Sequence, residues 1–156
     1  MNQDEVEVKE FFECLGEIWR DITAVEFLMR ACIAKKDGEI NKFPKSPYEK
    51  GKIYLDYPRS FSISHFEDLV TEFNKHFQNI QIPKEFANLR HAMAHGVIAE
   101  VDKDGVDRLV KFKKNKQNNL EIEFNMPLER KRMAQIRQSL REIRRYISKE
   151  ADDNKK

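Results

Sequence analysis

Between Phe11 and Cys32 the apolar residues Phe11, Leu15, Ile18, Ile22, Val25, Met29 and Cys32 recur at alternating intervals of four and three. A strand would scatter this series over both faces, whereas a helix gathers it into one stripe. The spacing therefore predicts one long helix over residues 6–36, packed against a core or a partner. Phe12, Trp19 and Ile33 widen the stripe, and the same seven-residue series also contains Glu26. That carboxylate has two readings: a surface pair with Arg30 one turn on, or a group facing a polar site elsewhere in the fold.

A chain of 156 residues is long enough for a single domain with a buried core. Its apolar fraction of 40% includes eleven Phe, which favours a folded protein over a disordered one. No apolar run is long enough to cross a membrane, and the acidic start Met1-Asn2-Gln3-Asp4-Glu5 is unlike a signal peptide, so a cytoplasmic protein is expected. Cys14 and Cys32 fall in one helix, roughly 27 Å apart at its rise, beyond disulfide reach. With no further cysteine, structural zinc has no support and no cofactor is expected.

After Asp37-Gly38 a stretch punctuated by Pro44, Pro47, Gly51 and Pro58 reads as a long loop over residues 37–60. It interleaves Lys42, Lys45, Lys50, Lys52 and Arg59 with Phe43, Tyr48, Tyr54 and Tyr57, a mixture that suits either aromatic anchoring of the loop or single-stranded nucleic acid. A second helix is expected from Ser62 or Ser64 as N-cap to Phe77, with His65 and His76 as ordinary surface or boundary histidines. A third is expected from Pro83 at its first position to Gly96 in the left-handed position past its end, with Ile82, Phe86, Leu89 and Met93 inward. Short strands follow over Val97–Val101, Val106–Phe112 and Leu120–Phe124, separated by Asp102-Lys103-Asp104-Gly105 and by Asn115–Asn119. The last helix is expected from Pro127 to Lys149, with Met133, Ile136, Leu140, Ile143 and Ile147 inward and a polar tail over 150–156.

The stretch Leu89-Arg90-His91-Ala92-Met93-Ala94-His95-Gly96-Val97-Ile98 concentrates the chemistry. On a helix whose core stripe centres on Leu89 and Met93, Asn88, His91 and His95 share the opposite face and Arg90 lies on the flank. Ala87, Ala92 and Ala94 keep the helix slim. One reading is structural, with His95 as a partner for the negative end of the helix and Arg90 in a salt bridge. A second takes His91 and His95, one turn apart, as a metal pair, although the Glu of a zincin motif and a third ligand are missing. A third is phosphate chemistry, since imidazoles move protons near neutral pH and a guanidinium matches a phosphate.

Arg90 followed after four residues by His95, with a polar residue directly after the Arg, resembles the R-x4-6-H motif of HEPN domains. The resemblance extends over about residues 5 to 149, with Trp19, Glu26 and Arg30 on the long first helix. It implies a mainly α helical bundle, a single HEPN-like domain over 1–149, in which the loop at 37–60 and a small β-hairpin or meander over 97–125 are insertions. It further implies a homodimer that joins two motifs in one cleft, and a metal-independent endoribonuclease acting as a toxin or antiviral-defence effector, with a possible antitoxin or regulatory protein as partner. His95 would then be the general acid or base, Arg90 the phosphate cation, and His91 the residue that orients or assists them, with Asn88 and Glu26 in support. The Tyr that one subfamily carries two residues after the His is Val97 here, so nucleotidylation at that position is not expected. The alternative is a non-catalytic HEPN-like dimer that binds RNA or acts as a scaffold, or a subunit of a larger complex.

Net charge is only +2, from 29 Lys and Arg against 27 Asp and Glu. By segment it separates: residues 1–36 carry −3 and residues 128–156 carry +5. The last helix thus offers Arg137, Arg141, Arg144 and Arg145 to RNA, with an affinity that falls steeply with salt, or else pairs with the acidic first helix.

Overall fold

The periodic stripe becomes α1 (Gln3–Lys36), with Ile18, Ile22, Val25, Met29, Cys32 and Ile33 buried and Phe12 and Trp19 exposed on its shoulder. The computed structural model describes residues 3–99 and 105–152, with side chains from residue 6 onward. Among the described residues the fold is mainly helical, with four α-helices and a small three-stranded antiparallel sheet ahead of the last helix. Gly38 ends α1 at φ +74°, a conformation that disfavours a side chain. Glu39 N–H then reaches back to Ala34 O at 2.7 Å and Gly38 N–H to Lys35 O at 3.1 Å, closing the carbonyls of the last turn.

The chain divides into two compact units, Met1–Ile22 with Pro83–Arg141 and Thr23–Ile82 with Glu142–Lys156, and α1 and α4 contribute to both. In the second unit α2 (Phe66–His76) buries Phe66, Leu69, Val70 and Phe73. Its N-cap is His65 rather than Ser62 or Ser64: the His65 carbonyl accepts Leu69 N–H at 3.1 Å, and no side chain caps the turn. Ser62 instead ends a 3-10 turn at Arg59–Ser62, and Ser64 lies between that turn and the cap.

Arg30 secures that turn, donating to the carbonyls of Ser60 and Ile63 and to Glu26 Oε1 at 3.2 Å, with its guanidinium 5.6 Å from the Phe61 ring. The Glu26–Arg30 pair forms as the spacing predicts, but it is largely buried and not a surface pair. In the loop, Phe43 packs edge-on to Phe27 at 5.1 Å and against Phe61 at 5.3 Å, so aromatic residues anchor it to α1. Lys42 and Arg59 are neutralised by Glu39 and Asp56 and by Asp37 and Glu72.

In the first unit α3 (Glu85–His95) starts two residues beyond Pro83, whose carbonyl accepts Phe86 N–H. Phe86, Ala87, Leu89 and Ala92 are buried; Met93 is only half-buried. The sheet follows in the order β1 (Val97–Ala99), β2 (Arg108–Lys114), β3 (Leu120–Pro127), all antiparallel. The expected Val101 and most of the Asp102–Gly105 turn lie outside the described residues. The second turn is held by Asn115, whose side-chain oxygen accepts Gln117 N–H and Asn119 N–H, with Asn118 at φ 62°.

β3 runs on through Pro127, which pairs with Arg108, so α4 (Arg130–Asp152) begins three residues later than expected and ends three residues later. It buries Met133, Leu140, Ile143 and Ile147. No helix among the described residues is long and apolar enough to cross a membrane.

Candidate functional site

The end of α3 and the start of the sheet are built around Gly96. Sequence alone suggests a left-handed residue there, but Gly96 is extended, at φ −89° and ψ −178°. Its lack of a side chain serves close approach instead: a Cβ would lie 2.4 Å from Ala92 O and 2.7 Å from Val110 O. The chain thus passes from helix to β1 in one residue, Gly96 N–H bonding Ala92 O at 2.6 Å and Val97 pairing with Val110. The end of α3 is thereby pinned to β2.

On that helix end Asn88, His91 and His95 are exposed and Arg90 is half-buried, as the helical wheel predicts. The imidazoles of His91 and His95 stand with ring centroids 5.0 Å apart, tilted by 58°.

The sheet adds two groups that the sequence reading misses, Lys111 on β2 and Glu123 on β3. Pairing shifts from Lys111↔Phe124 to Phe112↔Ile122, which leaves Glu123 as the extra residue of a β-bulge. Its carboxylate forms an ion pair with Lys111, whose side chain is only 16% exposed, and stands 4.0 Å from Lys113. The second cross-strand pair, Lys113–Glu121 at 3.2 Å, is 46% and 44% exposed. The His91 imidazole is held below its ordinary pKa, chiefly by partial desolvation and then by the positive charge of Lys111, of a protonated His95 and of Arg90; Glu123 opposes them. Alternating Lys111-x-Lys113 and Glu121-x-Glu123 hinted at facing charged strands, but only the bulge directs Glu123 onto Lys111.

The remaining predicted site residues make contacts of their own. Glu26 belongs to the second unit, bonded to Arg30. Arg137 and Arg141 meet Glu17 at 2.9 and 3.1 Å, Arg141 also stands 4.0 Å from the fully buried Asp21, and Arg130 pairs with Glu10. This half of the basic helix is therefore compensated by α1. Arg144 and Arg145 are exposed on the second-unit part of α4.

A cleft of about 480 Å³ in the first unit, lined by Glu7, Glu10, Glu13, Glu17, Arg130 and Arg137 over Phe11 and Met133, shares no residue with the histidine pair. Among the described residues no group of three or more His, Cys, Asp and Glu is arranged to hold a metal ion. No family model matches the chain, and neither a curated protein nor a solved structure does.

Proposed function

We propose that the chain is a HEPN-like, metal-independent endoribonuclease, working as a homodimeric toxin or defence effector, with His91, His95 and Arg90 in its cleft. The observation that carries this reading is the exposed pair of imidazoles in mutual contact, one of them biased toward its neutral form.

A neutral His91 is suited to accept the proton of an RNA 2′-OH. The 2′-oxygen then bonds to the adjacent phosphorus as the bond from phosphorus to the 5′-oxygen breaks. A protonated His95, as the general acid, gives its proton to the departing 5′-oxygen. The products are a 2′,3′-cyclic phosphate and a 5′-hydroxyl end, and the two histidines have exchanged protonation states. Arg90 stabilises the charge that builds on the phosphorane oxygens. Because the nucleophile belongs to the RNA, the reaction needs no metal-activated water.

The test is cleavage of mixed RNA in EDTA by the wild type, His95→Ala and Arg90→Ala, with folding followed by circular dichroism and dimerisation by sedimentation. Loss of cleavage in both folded, dimeric variants is expected. No cleavage by the wild type over many RNAs sinks the reading. The second reading, a non-catalytic scaffold, draws on a different observation: Val97, Phe112, Leu120 and Ile122 share one face of the sheet and are 54%, 44%, 69% and 57% exposed.

A further inference from the structure

We infer that Lys111 is a phosphate-contacting residue of the histidine site and that Glu123 is its positioning residue. The inference rests on the ribonuclease reading for the identity of the phosphate ester, and adds to it a cation from the sheet.

Three features place Lys111 there. Gly96 brings the end of α3 against the backbone of Val110, the residue before Lys111. On β2, Lys111 shares a face with Leu109, which is buried, and α3 packs on this strand. The lysine stem is therefore covered while its ammonium is held at the sheet surface by Glu123. The third feature is the bulge, which leaves a residue of β3 out of register with its carboxylate paired to Lys111 and 4.0 Å from Lys113.

Glu123 occupies part of the ammonium's donor capacity, and a lysine has three N–H bonds to offer. The N–H bonds that Glu123 leaves can be accepted by a phosphodiester oxygen, and a charged donor increases in value where water is displaced. Lys111 also has a second effect: its charge favours the neutral form of His91, while Glu123 works in the opposite sense. The other groups acting on His91 are His95 and Arg90.

A plain cross-strand salt bridge is the competing explanation, and Lys113–Glu121 is a neighbouring pair of that kind, with Lys113 also 4.0 Å from Glu123. The experiment compares the wild type with Lys111→Ala, Lys111→Arg, Glu123→Gln and Lys113→Ala. It measures RNA cleavage and also records the imidazole resonances of His91 and His95 by NMR during titration with pH and with inorganic phosphate.

Lys111→Ala is expected to lower kcat about 100-fold, Lys111→Arg to restore part of it, and Lys113→Ala to cleave as the wild type does. Phosphate is expected to move the His91 resonance in the wild type and much less in Lys111→Ala. The His91 titration midpoint should rise in Lys111→Ala and fall in Glu123→Gln, which reports that both charges reach the imidazole, while the phosphate response and cleavage separate a contacting lysine from a structural one. Cleavage by Lys111→Ala at the wild-type rate, with an unchanged phosphate response, overturns the inference and leaves the ribonuclease reading intact. A wild type that cuts no RNA but binds phosphate through Lys111 overturns cleavage and keeps the anion site. Absence of both effects in the wild type overturns both.

Discussion

Each of the two units contains a cluster of histidine, cations and carboxylates, and the clusters are opposite in electrostatic sense. In the second unit, Arg59 joins Asp37 and Glu72 at 3.0 and 2.8 Å, its backbone N–H donates to Glu39, and His76 bonds Glu72 at 3.2 Å. A carboxylate lies beside each positive group there. In the first unit, Lys111, Arg90 and a second histidine act on His91 in one sense and Glu123 in the other. The first arrangement pairs its cations with carboxylates and ties a loop to a helix. The second sets cations beside an exposed imidazole.

Catalysis should show the largest contrast between the clusters. His91→Ala and His95→Ala are each expected to reduce RNA cleavage about 1000-fold, while His76→Ala leaves the rate unchanged. Equal losses in all three variants would erase the distinction.

Next in size is a contrast between two glycines. Gly96→Ala forces backbone atoms of Ala92 or Val110 to move, and should cost about 2 kcal/mol in urea unfolding and weaken phosphate binding as α3 shifts from β2. Gly38→Ala meets open space and costs about 1 kcal/mol through its left-handed backbone alone, without any effect on phosphate binding. Equal effects of the two on phosphate binding would show that the end of α3 is not what Gly96 positions.

Removal of Arg59 tests the second-unit cluster. Its side chain is 50% exposed, so Arg59→Ala should cost about 1 kcal/mol near neutral pH. Arg59, followed by His76, holds the Glu72 carboxyl below the usual carboxylate range. A depressed carboxyl stabilises the fold above its unfolded pKa and loses that contribution as pH falls through the folded one. The stability gap between wild type and Arg59→Ala should therefore close in acid; a gap that widens would contradict the pairing.

The smallest perturbation is a thiol label. Cys14 is half-exposed in the first unit, whereas burial pushes the Cys32 thiol up to about 12 in the second, where it donates to Ile147 O at 3.8 Å. Iodoacetamide near pH 8 should modify Cys14 in the folded protein and Cys32 only after unfolding, as read by mass spectrometry.

Much of the helical framework was legible because helical periodicity is local. The intervals between Phe11 and Cys32, and between Met133 and Ile147, define α1 and α4 without reference to anything else in the chain. Their ends were less legible. Pro127 fits the start of a helix, yet it closes β3, because pairing with Arg108 lies across a turn that spacing cannot see. Gly96 was recognised as the end of α3, but for a left-handed conformation it does not adopt. The glycine is required by a carbonyl on β2, fourteen positions further along the chain.

The helix face that groups Asn88, His91 and His95 was likewise determined by sequence, since a turn of helix fixes which residues are neighbours. The destination of the surrounding charges was not. That Arg137 and Arg141 meet Glu17, that Glu26 is bonded to Arg30 beneath a turn, and that Lys111 and Glu123 act on His91 were decided by tertiary structure. A charge carries no periodic signature of its partner: the attraction is set by distance through space, and only the folded chain determines that distance.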